Sequence, residues 1–131
     1  MNNEIEDIFC FLKRHRLDRN KRLQATKFVK GLISQGSLAP ECLFNIYKIC
    51  SYKTIKKLIA EELEKNSNEL SREPLLFMVL NPLTKDLGIK FLNTLIVNNK
   101  ASVEDMERIS KWSKILAIKK VAKEALDQMK S

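Results

Sequence analysis

Glycine and proline are scarce in this chain, three of each in 131 residues, and histidine occurs once. So little turn punctuation argues against an all-β fold and leaves no glycine-rich phosphate loop. With His15 alone there is no histidine-based metal cluster, no dyad with a second histidine and no zinc-finger spacing, so neither a metal nor a cofactor is expected. The three cysteines, Cys10, Cys42 and Cys50, form no C-x-x-C pair. Cys42 and Cys50 would lie about 12 Å apart along a shared helix, beyond disulfide reach. They read as reduced, partly buried thiols, which points to an intracellular, cytoplasmic or nuclear chain. The longest apolar run, Leu75–Leu80, is six residues, far short of a membrane span. Glu4, Glu6 and Asp7 sit where a secretory signal needs positive charge and a mitochondrial presequence avoids acids, so no membrane partner or import is expected.

What the chain does have is the composition of a folded domain, with 44% hydrophobic and 31% charged residues. The length suits one domain over 1–131. Apolar residues recur at three and four positions along eight stretches. Asn2 or Asn3 caps a first helix to about His15, with Ile5, Ile8, Phe9 and Leu12 on one stripe. A second runs from Asp18 to about Gln35 with Ala25, Phe28, Val29, Leu32 and Ile33 inward, and Gly36 stops it. Ser37 with Pro40 opens a third, carrying Leu43, Ile46, Tyr47 and Cys50. A fourth spans Thr54 to Lys65, and Asn66 to Leu70 reads as a short linker. Ser71 and Pro74 open a fifth, closed by Asn81-Pro82. The sixth covers Thr84 to Asn98. The seventh begins at a capping box, Ser102 with Asp105, and runs to Trp112, which continues the core spacing of Ile109. The eighth covers Ser113 to Met129.

Sliding the chain against itself by 63 residues aligns Leu12–Leu63 with Leu75–Leu126 without gaps, and fourteen of 52 positions are identical. Chance composition gives roughly four, so an internal duplication is expected, with units of about 3–65 and 66–129. The fold expected is all-α: seven or eight short antiparallel helices in two stacked four-helix repeats, a small HEAT-like or α-solenoid bundle. The segment Phe28–Ile46, F-V-K-G-L-I-S-Q-G-S-L-A-P-E-C-L-F-N-I, resembles one hairpin of a tetratricopeptide or pentatricopeptide array. That resemblance covers under a fifth of the chain, does not continue at 34 or 35 residues, and implies no functional residue. The segment Leu12–Leu17 is basic where its counterpart Leu75–Leu80 is apolar. A terminal repeat leaves wet the surface its neighbour must bury, so Phe77 and Met78 are expected in the core.

The net charge is +8. Lys13, Arg14, Arg16, Arg19, Lys21, Arg22, Lys27 and Lys30 face only Asp18 within their stretch, and cations in the first turn of a helix oppose its macrodipole. This segment is the candidate site for an anionic partner, the plainer reading being a solvated end. A secondary basic strip comprises Lys53, Lys56, Lys57, Lys119, Lys120 and Lys123, with Lys48 and Lys111 nearby. Lys57/Glu61, Lys120/Glu124 and Lys123/Asp127 are also what an ordinary exposed helical face looks like. Trp112 and Tyr52, set among lysines, have the chemistry to stack on bases. Glu104, Asp105 and Glu107 crowd a helix N-terminus that favours acids without any catalysis, so no enzyme activity and no small-molecule substrate are expected. The sequence points to a non-enzymatic helical-repeat module, a scaffold or adaptor engaging a protein partner. The competing reading is a basic nucleic-acid-binding module contacting the phosphate backbone through the 13–30 segment.

Overall fold

The protein is described by a computed structural model over residues 19–36 and 38–130. Among these residues it is all-α, with seven α-helices, one 3-10 turn and no strand. We label the helices α1 (Arg19–Gln35), α2 (Pro40–Ile49), α3 (Lys53–Lys65), α4 (Arg72–Leu80), α5 (Lys85–Val97), α6 (Val103–Trp112) and α7 (Leu116–Lys130). The helix expected before Asp18 lies outside the described residues. The chain divides into two compact units, the first ending at Leu63 and the second beginning at Glu64.

In the first unit, α1 buries Ala25, Val29 and Leu32, three positions on one stripe. Phe28, expected inward, is 39% exposed. It directly precedes Val29, about 100° away around the helix, and so falls at the edge of a narrow stripe. Gly36 closes α1 in the left-handed region (φ 62), its N–H donating to the Ile33 carbonyl at 3.0 Å. Pro40 opens α2, where its missing N–H costs nothing, and Leu43, Phe44, Ile46 and Tyr47 are buried behind it. Ile55, Ile59, Ala60 and Leu63 of α3 complete the unit's apolar interior.

The second unit opens with a 3-10 turn, Ser67–Glu69, where the sequence suggested a linker. Ser67 and Leu70 are buried, and the Lys100 ammonium donates to the carbonyls of Asn68 (3.0 Å) and Leu70 (2.6 Å), which fixes the segment. Helix α4 packs on α5 and α6, α6 on α7, and α5 on α7. Five of the nine residues of α4 are buried, Met78 among them, whereas Phe77 is half-buried. Thr84 caps α5, its hydroxyl accepting from Leu87 N at 3.2 Å. The capping box of α6 is complete: Asp105 N donates to Ser102 Oγ (3.2 Å) and Ser102 N to Asp105 Oδ2 (2.9 Å). Helix α7 starts at Leu116, later than the expected Ser113, because Ser113 is already committed as the C-cap of α6.

The helix boundaries themselves recur at the 63-residue offset: α2 and α6 share both ends, and α3 and α7 share their first residue. So do the turns. Cys50 N donates to Ile46 O (3.1 Å) and Ser113 N to Ile109 O (3.0 Å). Cys50 Sγ donates to Tyr52 O (3.7 Å), and Ser113 Oγ to Ile115 O (3.4 Å). Gly36 and its counterpart Asn99 are both left-handed, at φ 62 and φ 54.

One ion pair stands out in the second unit. Arg72, the first residue of α4, donates from Nε and Nη2 to the two carboxylate oxygens of Asp105 at 2.7 and 2.6 Å. The Asp105 side chain is 3% exposed. The Arg72 hydrogen bonds outweigh burial and, with those from Ser102, hold its carboxyl down from an ordinary 3.8 to about 2. A depressed carboxylate stabilises the fold above its unfolded value, and that contribution is lost as pH falls through the folded one. Asp105→Asn is therefore expected to cost about 2 kcal/mol at neutral pH. The gap between the variant and the parent in urea melts should close between pH 4 and pH 2, the window set by the ordinary and the lowered values. Arg72→Met, which strands the carboxylate, should cost about 3 kcal/mol.

Gly88 is a second pressure point. A methyl there would meet Ile118 Cδ1 at 2.6 Å and Pro82 Cβ at 2.9 Å. Ile118 can swing away but the proline ring cannot, so Gly88→Ala is expected to lower stability by about 1–3 kcal/mol despite alanine's better helix propensity. An unchanged thermal midpoint would mean that Pro82 yields as readily as Ile118.

Candidate functional site

Of the cations singled out by the sequence, Lys13, Arg14 and Arg16 lie outside the described residues. Arg19, Lys21, Arg22, Lys27 and Lys30 are exposed along α1. Arg19 and Arg22 line an open cleft of about 490 Å³ in the first unit, together with Leu23 and Thr26 of the same helix. The opposite wall is the α2–α3 corner, Ser51 to Ile55, and it brings in Lys53 from the secondary strip and the Tyr52 ring. The Arg22 guanidinium sits 5.9 Å from the Tyr52 ring centroid, within cation–π range. No carboxylate among the described residues lines this cleft. Helices α1, α3 and α7 have no acid in the first turn, whereas α2, α4, α5 and α6 each do. The positive ends of the α1 and α3 macrodipoles add to the field of Arg19 and Lys53 here.

The remaining strip lysines are less concerted. Lys56 Nζ lies 4.8 Å over the Tyr47 ring, and Lys48 Nζ at the same distance over Phe44, so both cover apolar surface of their own unit. Lys57 is exposed on α3, Lys120 and Lys123 on α7, and Lys119 is half-buried.

Trp112 corrects an expectation. Rather than continuing the core, it is 66% exposed, and Leu116 beyond the turn is 82% exposed. The reason is the end of α6: Ser113 takes extended dihedrals (φ −63, ψ 138), so the three- and four-residue rhythm stops one position after Trp112. The Lys111 ammonium lies 5.5 Å from the indole. Also in the second unit is an apolar groove of about 170 Å³, lined by Leu95, Ile96, Ala101, Met106, Ala125 and Met129 among others. Ile96 and Met129 at its rim are exposed. Sequence periodicity missed this groove because Leu95 and Met106 are buried core positions whose outer edges line it.

The two described cysteines differ in their surroundings. Burial pushes the Cys50 thiol up, and its Sγ is engaged with a carbonyl, so it stays protonated and structural. Cys42 is half-buried and free. Among the described residues no three histidine, cysteine or acidic side chains gather as a metal site, and no helix is long and apolar enough to cross a membrane. Comparison with protein-family models, curated proteins and solved structures finds no match.

Trp112 is the sole tryptophan. Its emission is expected at the red, water-exposed end of the indole range in the native protein and to move little on unfolding. A blue native spectrum that reddens in denaturant would place the ring inside.

Proposed function

We propose that the protein is a non-catalytic binding module, a scaffold or adaptor that engages a protein partner through the second unit. What supports the reading is the pair Trp112 and Leu116, two large apolar side chains left in water on either side of the α6–α7 turn. Exposed single leucines are ordinary, but tryptophan is among the residues that most often anchor protein interfaces. The same unit holds a second apolar feature, toward the opposite end of the α6–α7 hairpin. The groove edged by Ile96 and Met129 approaches the size that holds one benzene-like group, and methionine repacks readily around different shapes. The reading takes the chain as a duplicated helical module of HEAT-like kind, whose hairpins offer ridges and grooves for a helix or an extended peptide.

The test starts from a partner recovered with the full chain and then purified. In a two-component titration, Trp112→Ala is expected to weaken binding about thirtyfold, as an interface anchor does. Raising the salt from low to moderate should change the affinity by less than about threefold, since an apolar interface releases few counterions. A partner that binds Trp112→Ala and the parent equally well, or that dissociates steeply with salt, would reject this reading.

A further inference from the structure

The first unit holds a feature that the protein-partner reading does not use, and the comparison of the two copies isolates it. The α2–α3 corner and the α6–α7 corner share their cap hydrogen bonds, and so the same local backbone, yet their side chains differ in kind. In the first copy the corner and the facing helix present Arg19, Arg22, Thr26, Ser51, Tyr52 and Lys53. At the 63-residue offset these become Pro82, Lys85, Ile89, Lys114, Ile115 and Leu116. In the second copy Pro82 and Ile118 lie close against the Gly88 backbone. The second copy keeps two cations, Lys85 and Lys114, but has isoleucine in place of the ring; only the first copy sets Tyr52 beside Arg19, Arg22 and Lys53.

We propose that this cleft binds single-stranded nucleic acid, with Arg19, Arg22 and Lys53 on successive phosphates and a base against the Tyr52 ring. Three cations from two segments, with no acid among the described lining residues, favour a polyanion. The ring, already paired with Arg22 at 5.9 Å, forms the aromatic–guanidinium platform on which unpaired bases stack. A strand fits better than one small phosphate because the basic face continues beyond the cleft. Arg19, Arg22, Thr26 and Lys30 follow the three- and four-residue spacing of one helix face, which spans about 16 Å of α1. Lys30 is exposed at its far end.

The proposal concerns residues remote in sequence from Trp112 and Leu116, so it stands or falls separately from the protein-partner reading. The experiment is fluorescence anisotropy of the full chain with a labelled oligothymidine or oligouridine about fifteen nucleotides long, at several salt concentrations. Binding is expected at low salt, with the slope of log K against log salt near −2, from three phosphate contacts at about −0.7 each. Arg22→Glu with Lys53→Glu should weaken it at least about tenfold, and Lys120→Glu with Lys123→Glu, the same charge change on α7, by less than about twofold. Tyr52→Leu should weaken the single strand about fivefold while leaving a duplex of equal length unaffected. Arg22→Gln with Lys53→Gln repeats the first comparison should the reversals melt early. No binding at low salt, equal losses from the two charge-reversed pairs, or an inert Tyr52→Leu would each overturn the proposal. So would displacement of the strand by ATP or polyglutamate at matched charge, since the cleft would then serve small phosphates or acidic protein.

Discussion

The second unit is organised around one buried carboxylate. Asp105 accepts two hydrogen bonds from Arg72 and one from the Ser102 amide, and its own amide returns a bond to Ser102 Oγ. A single side chain thus starts α6 and ties it to the first residue of α4. Its exposure of 3% makes the arrangement demanding, because a buried charge is tolerated only with nearly all its lone pairs engaged. Once α4 is held in this way, its almost wholly apolar surface has one way to be covered, against α5 and α6. The Lys100 ammonium does the complementary work on the preceding turn, donating to the Asn68 and Leu70 carbonyls just ahead of α4.

Much of this was legible in the sequence because helical period and cap chemistry are local. The stripes Leu43–Ile46–Tyr47–Cys50 and Leu87–Phe91–Leu92–Leu95 are buried as their spacing implies. Ser102 with Asp105 announced its capping box, though nothing in the spacing announced that the same aspartate would recruit Arg72 from 33 positions away. That pairing depends on tertiary geometry. Trp112 failed for the opposite reason: periodicity counts positions and does not see that the helix ends beside it. The linker at Asn66–Leu70 failed because polar composition conceals a 3-10 turn whose partners, Thr94, Asn98 and Lys100, lie in or just after α5.

The candidate sites were legible in part. The sequence marked Arg19 and Arg22 as cations at the wrong end of a helix, and it marked Tyr52 and Lys53 separately. It had no means of bringing the two groups to one cleft, which requires the α2–α3 corner to turn back toward the start of α1. The apolar groove of the second unit was invisible for a related reason, since core residues and surface residues share its walls.

The paired corners carry a broader consequence. At the second copy's corner a proline ring and an isoleucine methyl stand against the bare backbone of Gly88, while the corresponding corner of the first copy is an open cleft edged by Arg19, Arg22 and Lys53. Replacements at the tight corner are felt as lost stability, whereas those on the exposed side chains of the open one leave the helix packing largely untouched. The first unit's corner is thus a place where the sequence can vary at little cost to the fold.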